Sequence, residues 1–131
     1  MKKLFWLLLL LCMLPLAADA QTLYASPEWL PLTEALAQCA DGDVIELADG
    51  IYAEPQETFP LTVSCAVTIR AAQGACPVID APAFKAALRV EADGVTLRGL
   101  DIRFRRTGIY AVGHNMTMED CSLSLVDAQW R

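Results

Sequence analysis

From residue 43 onward, apolar and polar positions alternate in short bursts separated by tight turns, and the bursts recur. Residues 87–104 (ALRVEADGVTLRGLDIRF) and 108–125 (GIYAVGHNMTMEDCSLSL) lie 21 positions apart, share almost no identities and align without a gap. The alignment sets Leu88 on Ile109, Val90 on Ala111, Val95 on Met116 and Leu97 on Met118. It continues with Leu100 on Cys121, Ile102 on Leu123 and Phe104 on Leu125. Apolar meets apolar at each of these positions, and the period-two alternation sends the intervening residues outward. An earlier copy, 61–70 (LTVSCAVTIR), sets Val67, Thr68, Ile69 and Arg70 on Val95, Thr96, Leu97 and Arg98. Residues 45–54 (IELADGIYAE) are a weaker one.

Upstream, TLYA reads as a short strand and LPLTEALAQCA as a helix. Leu32, Leu36 and Cys39 share one face of that helix, and Gly42 is its stop. DVIEL is then a strand, ADG a turn and IYA the start of another strand. A repeat this short cannot bury its own inner face, so successive units must stack and share one core. About three short strands in each period of roughly 21 residues suit a coil of a parallel β-helix better than a leucine-rich or ankyrin repeat. The expected fold is therefore all-β: a short right-handed parallel β-helix of roughly four coils. A small disulfide-linked β-sandwich is the alternative. The helix at 31–40 is expected to cap the first coil. The organisation read from the chain is a leader over 1–20, a strand and capping helix over 21–42, and coils over 43–131, with a C-terminus that looks truncated.

The stretch GDVIELADGIYAE, followed by ETFPLTVSCAVTIRAA, resembles the start of the right-handed parallel β-helix proteins of the pectate-lyase-like superfamily. It is most similar to the domain of unknown function 1565 group. YASP, the GD-x-I-x-L-x-x-G-x-Y run and ETFPL carry the likeness, and GVTLRGLDIRF resembles the generic repeat. These are core and turn residues, so the resemblance implies a fold rather than an activity. It also implies a longer helix than this chain supplies. The catalytic motifs of the family's lyases have no match at any position.

The N-terminus changes the picture of where the chain goes. MKK, the apolar LFWLLLLLCMLPL and the small residues of Ala18-Asp19-Ala20 form an export signal, with cleavage expected after Ala20. The apolar run is too short to span a bilayer, so no stable membrane insertion is expected once it is removed. Cleavage removes Lys2, Lys3 and Asp19 and leaves 8 basic and 15 acidic residues, a net charge of −7. All eight basic residues lie from Arg70 onward. An acidic chain of this kind is a poor binder of nucleic acid. Its destination is the periplasm or the exterior.

Four cysteines remain: Cys39, Cys65, Cys76 and Cys121. An even number in an exported chain permits two disulfides, and buried free thiols are the alternative. Cys39 is placed to staple the helix to a coil through Cys65 or Cys76, and the residues leave that choice open. Cys121 shares an inward column with Leu100 and reads as a packed thiol.

Outward residues in stacked coils form columns with neighbours about 4.8 Å apart. Thr68, Thr96 and Thr117 make one, and Arg70, Arg98 and Glu119 another. Arg89 pairs with Tyr110, and Arg103 with Ser124. A ligand-binding face for acidic or neutral saccharide would draw on Arg70, Arg89, Arg98, Arg103, Arg105 and Tyr110. Guanidinium grips carboxylates and hydroxyls, and an aromatic ring stacks on sugar. The plain alternative is a solvated surface with an Arg98–Glu119 ion pair. A polysaccharide lyase needs a cation and a base, for which Lys85, Arg103, Arg105, Arg106 and His114 are the residues on offer. Asp41, Asp43 and Asp49 have oxygen chemistry suited to Ca²⁺ but sit in Asp-Gly turns, so no cofactor and no metal site is assigned. Trp29 and Trp130 read as packing residues near the two ends. The leading functional expectation is a non-catalytic exported module binding glycan or another envelope component. A lyase or hydrolase of acidic glycans, and a module docking through its open last coil onto a partner or another copy, are the alternatives.

Overall fold

The computed structural model describes residues 20–126. Residues 1–19, where the export signal is expected, with Cys12 among them, and Trp130 lie outside the described residues. The chain opens with β1 (Thr22–Ala25), a single helix α1 (Leu32–Gln38), β2 (Val44–Leu47), β3 (Ile51–Tyr52) and β4 (Leu61–Val63). It continues with β5 (Thr68–Ala71), β6 (Val78–Asp80), β7 (Leu88–Val90) and β8 (Thr96–Arg98). Last come β9 (Asp101–Phe104), β10 (Ile109–Ala111), β11 (Thr117–Glu119) and β12 (Ser122–Leu125).

From β2 onward, every third strand returns to the same face. Sheet A runs β1-β2-β5-β8-β11, sheet B runs β3-β6-β9-β12, and sheet C runs β4-β7-β10. All pairings are parallel. Parallel neighbours need a long return path, and here the strands on the other two faces supply it. The result is a parallel β-solenoid. Its sheet A has five layers, against the four coils expected, because β1 pairs with β2 and adds a layer ahead of it.

The inward columns match the sequence pattern. Leu23, Ile45, Ile69, Leu97 and Met118 stack in register on sheet A. Tyr52, Ile79, Ile102 and Leu123 stack on sheet B, and Leu61, Leu88 and Ile109 on sheet C. The central members are wholly buried. At about 25 cal/mol per Å² of apolar surface, these columns are the main source of stability.

Helix α1 covers the first layer. Leu32, Ala35, Leu36 and Cys39 are buried on its inner face, and the helix ends at Gln38, short of Gly42. Its N-cap residue, Pro31, has no side chain able to accept a hydrogen bond. The buried Glu57 replaces that function from 25 residues away. Its carboxylate accepts from the Leu32 and Thr33 backbone N–H at 2.9 and 2.7 Å and from the Thr33 hydroxyl at 2.7 Å. Tyr52, fully buried, places its hydroxyl 2.7 Å from the Ala48 carbonyl and 3.1 Å from that of Ala25. Burial, with the Glu57 carboxylate nearby, pushes its pKa well above the usual phenol range.

The turn aspartates also join layers. Asp41 accepts from Ala66 N–H, Asp49 from Cys76 N–H and Asp93 from His114 N–H, each one turn further along the chain. Asp43 accepts from Gln21 and Ala40 N–H at 2.9 Å each. Those two backbone bonds hold its carboxyl below the usual range. Gly113 belongs to the same corner system, because a Cβ there would stand 2.0 Å from the Ala92 carbonyl oxygen. Trp29 corrects an expectation: it is 89% exposed rather than packed into the cap. The segment joining β1 to α1 leaves its side chain outside the inward column.

Candidate functional site

Sheet C carries the most developed surface feature. Its strands read Leu-Thr-Val, Leu-Arg-Val and Ile-Tyr-Ala, so alternation buries the outer two positions of β4 and β7 and turns the middle one to solvent. The register Thr62–Arg89–Tyr110 makes the middle positions one column. The Arg89 guanidinium carbon lies 5.5 Å from the Tyr110 ring centroid, a cation–π distance. Arg89 Nε also donates to Glu91 at 2.7 Å. Tyr110 stays 54% exposed.

Beside β4, the cap helix leaves a groove of about 310 Å³. Thr33, Leu36 and Ala37 of α1 form one wall, and Thr58, Pro60, Thr62 and Ser64 form the other. Thr33 is fixed by its bond to Glu57 and by accepting from Thr58 N–H at 2.9 Å. Hydroxyls thus edge an apolar floor, and Thr62 belongs both to the groove and to the Arg89–Tyr110 column. Such a face offers hydroxyl hydrogen bonds and an aromatic edge without a dominant charge.

The remaining sequence candidates lie elsewhere. Arg70 and Arg98 are adjacent on sheet A, in the column Tyr24–Glu46–Arg70–Arg98–Glu119. Arg70 pairs with Glu46 at 3.0 Å, and Arg98 donates twice to Glu119 at 2.7 and 2.9 Å. Arg103 is on sheet B, 3.3 Å from Asp101. Arg105, just past β9, pairs with Asp80 at 2.8 Å and also contacts the Ala81 carbonyl. A smaller cleft of about 180 Å³ brings Glu54, Asp80 and Arg105 together, and Lys85 reaches Glu54 at 3.1 Å. His114 and Arg106 are exposed at turns away from these strand faces. The six predicted binding residues therefore occupy three faces, and only Arg89 and Tyr110 meet at the groove side. Six of the described Lys and Arg side chains are already paired with a carboxylate, and Arg106 is the exception among the described residues.

All four cysteines of the described chain are free thiols here. Cys121 packs against the core from a half-buried position. Cys76 is exposed beyond the end of β5. No three acidic, His or Cys side chains among the described residues cluster as a metal site. Asp41, Asp43 and Asp49 direct their carboxylates to backbone N–H groups. The groove and the inter-layer role of the aspartates were not readable from the sequence, since both depend on partners 21 to 27 residues away.

A comparison with solved structures finds a PL6-family alginate lyase, AlyGC, solved as a point mutant. The two superpose with a TM-score of 0.57 at 18% identity over 81% of this chain. The fold is a parallel β-helix. This chain spans about a fifth of that enzyme's length (20%), and at this identity the likeness concerns fold alone. No protein-family model matches the sequence, and the comparison with curated proteins gives no match.

Proposed function

We propose that this β-helix is an exported, non-catalytic module that binds a neutral, hydroxyl-rich glycan along sheet C. The observation that carries the reading is Thr62, the residue common to the hydroxyl-edged groove and to the exposed Arg89–Tyr110 column. Sugar recognition combines an apolar or aromatic surface with a few oriented polar groups, and this face has both. A neutral chain fits better than a polyuronate. Arg89 already has Glu91 as its partner, and the chain carries a net charge of −6, or −7 without residues 1–20, so a polyanion would meet repulsion and displace existing ion pairs. Affinity electrophoresis against neutral and acidic polysaccharides is the test. Retention by a neutral chain, weakened about tenfold in Tyr110→Ala and in Thr62→Val, an effect of about 1.4 kcal/mol, is expected. Arg70→Ala and Arg98→Ala should leave it unchanged. Absence of retention by every polysaccharide overturns the reading.

Two other readings have narrower support. The alginate lyase likeness, with the Lys85–Glu54 and Arg105–Asp80 pairs at the small cleft, supports a lyase acting on acidic glycans. Unsaturated uronate ends released from alginate or pectate would favour it over the binding reading. Exposed Leu123 and Leu125 in the last described layer support docking of that layer onto another copy or a partner. A concentration-independent monomer in sedimentation would remove the self-association form of it.

A further inference from the structure

The cap and the groove meet at two thiols. Cys39 follows the helix wall of the groove directly, as the C-cap of α1. Cys65 follows Ser64, the last groove residue of the strand wall. Cys65 Sγ lies 3.3 Å from the Cys39 carbonyl oxygen. The turns that hold them are stacked one layer apart: Gly42 N–H donates to the Ala66 carbonyl at 2.8 Å, and Ala66 N–H donates to Asp41 at 2.9 Å. The roughly 4.8 Å spacing between layers falls inside the roughly 4.4–6.8 Å separation of Cα atoms that a disulfide spans.

We infer that Cys39 and Cys65 form an intramolecular disulfide that staples the cap helix to the coil beneath it. The other thiols are out of range. Cys39 and Cys65 precede β2 and β5 on sheet A, whereas Cys76 lies beyond the far end of β5. A four-residue strand separates these positions, about 13 Å at roughly 3.3 Å per residue. Cys121 lies at that same far end, past β11 and two layers on from β5.

The chemistry follows from exposure. Burial, reinforced by the neighbouring Cys65, pushes the Cys39 thiol up to about 11, so it stays protonated and shielded. Half-buried Cys65 is therefore the first attacker on an external disulfide, either a small-molecule disulfide or an oxidised dithiol protein. One thiol of that oxidant departs, and Cys65 is left in a mixed disulfide. Cys39 then loses its proton, attacks the Cys65 sulfur and expels the second thiol. Two protein thiols are oxidised, and one external disulfide is reduced to two thiols. The new bond fixes the spacing of the two groove walls at their shared end, and it restrains a loop that the unfolded chain would otherwise leave open.

The experiment uses the purified full chain, equilibrated with oxidised glutathione, then blocked with an alkylating agent under denaturing conditions and mapped without reductant. A linked peptide pair carrying Cys39 and Cys65 is expected, with Cys76 and Cys121 alkylated. Thermal melting should rise by roughly 10 °C on oxidation, return on reduction, and show no such shift in Cys65→Ser. Alkylation of both Cys39 and Cys65 after oxidation, or linkage of either to Cys76 or Cys121, overturns the inference. The peptide map of the unsubstituted chain decides the matter even if Cys65→Ser folds poorly, and it does so whatever the outcome of the glycan test.

Discussion

The two ends of the stack treat the same apolar columns differently. At the N-terminal end, α1 lays Leu32, Ala35 and Leu36 over the first layers, and all three are buried. Glu57 anchors the start of that helix, and Asp43 anchors the turn after it. At the other end, the sheet B column passes from Ile102, fully buried, to Leu123, 47% exposed, within one layer. Leu125 in the same strand is 66% exposed. Among the described residues, the same inward alternation thus gives a covered core at one end and exposed apolar side chains at the other. What differs among the described residues is not the strand pattern but the covering element, which is held by buried carboxylates at the N-terminal end.

The largest expected effect tests that difference directly. Ile102→Ala should destabilise the fold by about 3–4 kcal/mol in urea unfolding, because it removes a buried side chain and leaves a cavity. Leu123→Ala, one layer on in the same column, should cost about 1 kcal/mol, since much of its surface is already in water. Equal costs would mean that the last layer is covered in solution. Glu57→Ala is next. It strands the buried Leu32 N–H and the part-buried Thr33 N–H and hydroxyl, and a loss of about 3 kcal/mol is expected. A cost below about 1 kcal/mol would show that α1 does not depend on this anchor.

Much of this architecture could be read from residue order, and setting 67–70 on 95–98 placed Thr68, Ile69 and Arg70 on Thr96, Leu97 and Arg98, the register the strands adopt. Aligning 87–104 with 108–125 set Leu88 on Ile109, Leu97 on Met118 and Ile102 on Leu123, and the strands pair in that register. Alternation tells inside from outside, yet it does not say which of three faces a strand occupies. For that reason Arg89, Arg98 and Arg103, all outward, diverge onto sheets C, A and B. Glu57 was invisible for a different reason. A helix cap is normally sought within a few residues of the helix, and this one comes from a loop 25 positions downstream. The groove exists only because that helix lies beside β4, a tertiary consequence no local pattern carries.

Acid should weaken the capped end. The Asp43 carboxyl is held below its ordinary value by two backbone N–H groups. A depressed folded pKa contributes stability above the unfolded value of about 3.9, and the contribution disappears as pH falls through the lower folded value. Melting temperature should therefore drop more steeply below about pH 4 in the unsubstituted protein than in Asp43→Asn. Parallel slopes for the two proteins would show that Asp43 does not link pH to folding.

The smallest effect belongs to the ion pairs of sheet A, and it too depends on position. Arg70–Glu46 lies toward the capped end with side chains 39% and 22% exposed, whereas Arg98–Glu119 lies toward the open end at 53% and 46%. Water and salt screen the second pair more fully, even though Arg98 places two donors on one carboxylate oxygen. A double-mutant cycle should give a coupling below about 0.5 kcal/mol for Arg98–Glu119 and up to about 1 kcal/mol for Arg70–Glu46. Raising the salt concentration should erase the first before the second. A stronger coupling at Arg98–Glu119 would mean that the open end is drier than its exposed leucines imply, and that something covers it in solution.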